Sequence, residues 1–162
     1  MPSVNRLQVL IGAAALLVGA LVYIVHRAPD ETYFIYSTGV NISLHNILPN
    51  VFGPIGNSLP AFIHVFAFAL ITAGVISCGK RGWLIICFSW VLIDSAFELG
   101  QKFSTWTVRL IPDFFESIPI LENTKAFFLR GTFDVNDLVA MAIGAITAYA
   151  VLTATVKLRY TT

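Results

Sequence analysis

The chain has 162 residues, of which 57% are hydrophobic and only 12% charged, and its formal net charge is +1. A soluble domain carries about 25% charged and about 45–50% apolar residues. The composition therefore excludes an ordinary soluble protein, leaves no room for a second soluble domain, and offers no basic surface for nucleic acid.

A bilayer core of roughly 30 Å is crossed by about 20 apolar residues, because a helix rises about 1.5 Å per residue. In chain order, residues 7–25 qualify first. Their apolar run exceeds the ~7–15 residues of a signal-peptide core, and the following VHRAPD is a poor cleavage site, so they read as a retained anchor. Residues 28–58, interrupted by Pro29, Pro49 and Pro54, read as an outer loop. Residues 59–78 form the second span. Residues 83–101 form the third only if Asp94, Glu98 and Gln101 are tolerated within it. Residues 102–136 mix the apolar runs FF, IPIL and AFFL with charges, as an interfacial or partly re-entrant segment does. Residues 138–156 close the chain as the fourth span. The expected fold is a single all-α membrane domain, residues 1–162: a four-helix transmembrane bundle with two longer outer loops. Cys78 and Cys87 lack metal or CxxC spacing and read as inert thiols.

Cationic residues flanking the spans orient such a bundle. With four spans, Arg6, Lys80, Arg81, Lys157 and Arg159 all fall on one side, which is then the cytoplasmic side. Both termini are thus expected in the cytoplasm.

The third span carries its polar residues at positions 94, 98 and 101, spacings of four and three that share one helix stripe. A charge facing lipid costs roughly 2.5–3.5 kcal/mol on insertion scales, so the stripe is expected to face the bundle interior. Counting from Trp83, Asp94 lies about 16 Å in, near the midplane, and Glu98 about 22 Å in. Counting from Leu59 on the outer side, His64 lies roughly 8 Å deep, level with Glu98. These depths predict a His64–Glu98 hydrogen bond, with Arg130, Asp134 and Asp137 arriving at the same mouth. Each also has a plainer reading. Asp134 and Asp137 suit a helix cap and a first-turn charge, Arg130 suits a neutralising partner, and a lone histidine suits a satisfied core.

The stretches FIHVFAFALI (62–71), DSAFELGQ (94–101) and RGTFDVNDLVAMAIGA (130–145) together resemble the VanZ-like family of small bacterial membrane proteins. The matching positions are His64, Glu98 with Gln101, Arg130, Asp134 or Asp137, and Gly144. The chain departs from the family pattern at Met141, where asparagine is frequent, and in the inserted residues 104–129. The resemblance implies a multi-pass protein of the bacterial inner membrane in a cell-envelope context. The family's named member is associated with resistance to teicoplanin.

Two functional readings fit these residues. In the favoured one, the protein is not an enzyme. An outer pocket lined by His64, Asp94, Glu98, Gln101, Arg130, Asp134 and Asp137 binds a membrane lipid or lipid-linked envelope precursor, with Arg130 suited to a phosphate. In the other, His64 with Glu98 and Asp94 performs acid–base chemistry on a lipid-linked head group. No HExxH, GxSxG or phosphate-loop motif supports catalysis. No cofactor and no metal are expected. A structural accessory subunit of a membrane complex is the third possibility.

Overall fold

The computed structural model describes residues 4–26, 43–45, 47–48, 51–119 and 121–161. Among them there is no strand. The helices are α1 (Arg6–His26), α2 (Ile55–Ile76), α3 (Lys80–Lys102), α4 (Ser104–Leu110), α5 (Thr124–Arg130) and α6 (Val135–Thr161), with a single 3-10 turn at Asp113–Ser117. Four of them, α1, α2, α3 and α6, are long and apolar enough to cross a membrane. Most of the expected first outer loop, 28–58, falls outside the described residues.

The spans run longer than apolarity alone predicts. α2 begins at Ile55, with Pro54 at its N-cap and Pro60 inside it, so the prolines do not delay the helix to residue 59. A proline in the second turn forfeits one backbone hydrogen bond, a loss that transmembrane helices absorb through their neighbours. α2 ends where Ser77 takes a left-handed conformation (φ 53°) and its N–H bonds Ala73 O at 2.9 Å. The three residues 77–79 then turn the chain directly into α3.

α2 is the centre of the bundle and packs against α1, α3 and α6. Two glycines allow the closest approaches. A Cβ on Gly12 would lie 2.7 Å from Ala67 O, and one on Gly144 would lie 2.6 Å from Phe62 O. Bare backbone is therefore required at both crossings, the small-residue packing that helices use in lipid, where no hydrophobic force draws them together. A core of Ala69, Leu70, Ala73, Trp83, Ile86, Cys87, Ala148 and Leu152 fills one half of the bundle. Outside it, Leu10, Leu17, Ile85, Phe88, Ile93 and Ile146 are exposed. Helices apolar all round in this way belong in a hydrocarbon solvent.

The two ends of the bundle are fastened differently. At the end carrying the α2–α3 turn, Asn5 N–H bonds Gly74 O at 2.8 Å, and the Gln8 amide donates to Thr155 Oγ1 at 2.9 Å. At the other end, His26 Nε2 lies 3.0 Å from Asn57 Oδ1, and α4 and α5 lie against α3 and against each other.

Candidate functional site

The stripe on α3 faces inward as expected, with Asp94 7% and Glu98 6% exposed and Gln101 half-buried. His64, however, pairs with Asp94 and not with Glu98. Its Nδ1 lies 2.6 Å from Asp94 Oδ2. The early start of α2 explains the change of partner. His64 is nine positions along from Ile55, which places it about 14 Å along the helix, while Asp94 lies about 12 Å and Glu98 only about 6 Å from the Lys102 end of α3. Asp94 therefore has the basic partner that the sequence did not reveal.

Two antiparallel faces meet around this pair. His64, Phe68 and Thr72 follow one another at helical spacing on α2, opposite Asp94 and Trp90 on α3. Phe68 meets the imidazole edge-on at 4.5 Å and stacks on Trp90 at 4.7 Å. The Trp90 indole N–H donates to Thr72 Oγ1 at 3.1 Å. The two rings hold the imidazole plane, and the carboxylate fixes which nitrogen points inward. Nδ1 is the nitrogen that the carboxylate engages. Nε2 then points away from Asp94 and has no hydrogen-bond partner among the described residues. Nearly half of the His64 side chain, 48%, is open.

Glu98 and Asp134 hold the start of α6. Glu98 Oε1 accepts the backbone N–H of Asp134 at 2.6 Å. Asp134 is itself the N-cap of α6, its Oδ1 accepting the Asn136 N–H at 2.9 Å. Asp137 sits half-buried in the first turn, where a negative charge favours the positive end of the helix. Gln101 packs against Gly131, where a Cβ would collide with its amide group. Arg130 is exposed at the last residue of α5, beside Gly131. The seven residues thus divide into a deep pair, His64 and Asp94, and five nearer the mouth, of which Glu98 and Asp134 join α3 to the start of α6.

Sequence reasoning missed two polar contacts within the spans. Gln8, 2% exposed, reaches Thr155 across the bundle, and Trp90 reaches Thr72. Their only signal was a neutral polar residue inside an apolar run, which is weaker than a charge because its transfer costs less. Among the described residues, no group of three His, Cys, Asp or Glu side chains is arranged to hold a metal ion.

On the insertion, Lys125 Nζ bonds Asp113 at 2.6 Å and Glu116 at 2.7 Å. The ammonium group holds the Asp113 carboxyl below its ordinary value, chiefly through their hydrogen bond, and the Lys125 ammonium is raised in turn by its bonds to Asp113 and Glu116.

Comparison with protein-family models, curated proteins and solved structures gave no match.

Proposed function

We propose that the protein is a VanZ-like envelope protein of the bacterial inner membrane, with both termini in the cytoplasm, that binds an amphiphilic or lipid-linked envelope component beside His64 and Asp94. The observation that carries this reading is the half-open imidazole held 2.6 Å from a buried carboxylate, about 14 Å from the end of its helix. Ionisable groups at such depth ordinarily face the bundle interior or a wet cavity. A histidine open on its outer side therefore calls for a partner there. In its neutral form Nε2 presents a lone pair to a hydroxyl or amide donor, and as imidazolium it presents N–H to a phosphate or carboxylate. Phe68 and Trp90 supply an apolar flank for the rest of the ligand.

This reading narrows the seven-residue pocket expected from sequence to its deep pair, because Glu98 and Asp134 are engaged in holding α6. The cytoplasmic assignment of the termini rests on Arg6, Lys80, Arg81, Lys157 and Arg159, which gather at the end carrying the α2–α3 turn. The His64–Asp94 geometry also favours a second reading. A carboxylate-oriented imidazole is the arrangement of a general base, so an enzyme acting on a head group stands as the alternative.

The test is native mass spectrometry of protein extracted gently from its own membrane, as wild type, His64→Leu and Glu98→Gln. A bound lipid-linked species retained by wild type and Glu98→Gln but lost from His64→Leu is the expected result. Equal occupancy in all three, or none in any, overturns the binding reading. If ligand is retained but chemically altered only when His64 is present, the enzyme reading takes its place.

A further inference from the structure

The insertion 104–129 divides into two parts of opposite character. α5 folds back on the bundle. Phe128 is buried, stacks on Phe97 at 5.8 Å and lies against Gly100, while Phe127 packs edge-on to both rings. α4 and the turn after it do the reverse. They contain no buried residue, and Phe103, Trp106, Leu110 and Phe114 all stand exposed, Trp106 at 72% and Leu110 at 82%. Trp106 and Leu110 share one face of α4 at a spacing of four. The Thr107 hydroxyl lies within bonding distance of Gly100 O (3.0 Å) and Phe103 O (3.2 Å), tying α4 to the last turn of α3. Only Phe103 separates the two helices, so α4 starts where a spanning helix leaves the hydrocarbon.

The charges have a matching arrangement. The acids Asp113 and Glu116 are both held by Lys125. Lys102 lies over the rings of Phe133 (4.5 Å) and Phe103 (5.9 Å), and Arg109 is exposed; neither forms an ion pair with a described residue. Two cations without carboxylate partners among the described residues thus flank an exposed tryptophan–leucine face.

We infer that α4 and the following turn form an interfacial anchor that docks on the phospholipid leaflet in which α3 ends. Trp106 and Leu110 enter the boundary between head groups and acyl chains, about 5–10 Å deep, and Lys102 and Arg109 lie at the phosphate level. A lid closed over the bundle would bury Trp106 and Leu110 against protein, where they are instead open. A re-entrant loop would carry the non-helical backbone at 111–112 and 118–119 into hydrocarbon, where lipid-exposed irregular backbone does not occur. Continuity with a spanning helix leaves the membrane surface as the occupant, and tryptophan at that level is the usual anchor.

The experiment compares wild type with Trp106→Phe in phosphatidylcholine vesicles containing brominated lipid, so that the difference in emission isolates Trp106 from Trp83 and Trp90. Leu110→Trp, at the most open position of the face, supplies a second reporter, with circular dichroism confirming an unchanged fold. The expected result is stronger quenching by bromines near the lipid carbonyls than by bromines near the chain ends, with loss of quenching by aqueous iodide. Iodide quenching without bromine quenching means the segment stands in water, and strongest quenching by the deepest bromines means it re-enters the bilayer. Either result overturns the anchor.

Discussion

Glu98 is the candidate whose role the structure changes most, and its replacement tests the change quantitatively. Its Oε1 accepts the Asp134 N–H at 2.6 Å and stands at the positive end of α6. Hydrogen bonds to charged groups contribute about 1.5–3 kcal/mol and neutral ones about 0.5–1.5 kcal/mol. Glu98→Gln keeps an acceptor and loses the charge, so about 1 kcal/mol of stability should disappear. Glu98→Leu removes the acceptor as well and should lose about 2–3 kcal/mol. Neutral interhelical bonds in membranes average only about 0.6 kcal/mol, so a loss above about 1.5 kcal/mol identifies a charge-assisted bond. Asp134→Ala provides the internal control. The bond to Glu98 comes from the backbone and survives, and only the cap on Asn136 is lost, at about 1 kcal/mol. Reversible unfolding by SDS in mixed bicelles, followed by far-ultraviolet circular dichroism, measures all three. Glu98→Leu as stable as wild type, or Glu98→Gln as damaging as Glu98→Leu, would refute the assignment of Glu98 to the start of α6.

Other consequences can be checked with the same preparations. Gly144→Ala places a Cβ 2.6 Å from Phe62 O and should cost about 1–3 kcal/mol by forcing α2 and α6 apart, whereas Gly79→Ala, with nothing within 4 Å of its Cβ, should cost less, losing only the preference for glycine over alanine at the N-cap of α3. Gln8→Leu should lose up to about 1.7 kcal/mol, the largest value measured for such bonds in a bundle, and Thr155→Val in that background should add little if the two act as a pair. On the insertion, Asp113 has a lowered pKa, so its contribution is whole above pH 3.8 and fades as the pH falls through the lower folded value. Lys125 is raised, so its contribution is whole below pH 10.5 and fades as the pH rises through the higher folded value. Amide exchange protection across 113–125 should therefore hold through the neutral range and drop in acid, and unchanged protection at pH 2 would show that the ion pairs hold nothing in place.

Why the sequence revealed the bundle but misplaced a pair follows from what each signal measures. Apolar length found all four spans because a hydrocarbon core demands it, and the four-three spacing of Asp94, Glu98 and Gln101 found the inward face of α3 because helical geometry leaves no other choice. Depth was harder. Counting from Leu59 treated Pro54 and Pro60 as ends, yet a helix can begin at a proline and carry another in its second turn, and that one turn moved His64 from the level of Glu98 to that of Asp94. Asp134 was legible as a cap because an acidic residue just before an apolar helix has a local cause. That Glu98 holds the same helix start was not legible, because the bond comes from a backbone N–H 36 positions away, and backbone donors leave no mark in a sequence.

The three-residue turn between α2 and α3 has a bearing on how the chain enters the membrane. Alone, α3 is a poor candidate for lipid, since an aspartate near a helix centre disfavours insertion by about 2.5–3.5 kcal/mol. Its partner histidine lies on the helix synthesised just before it, and a turn of three residues keeps the two helices adjacent in the chain. If α2 and α3 enter the bilayer together as a hairpin, Asp94 meets His64 before the carboxylate meets acyl chains. His64→Leu should then lower the fraction of chains whose third helix is integrated during synthesis, read by glycosylation sites engineered into the loop after α3, while a lengthened 77–79 turn should reproduce that defect with His64 still in place.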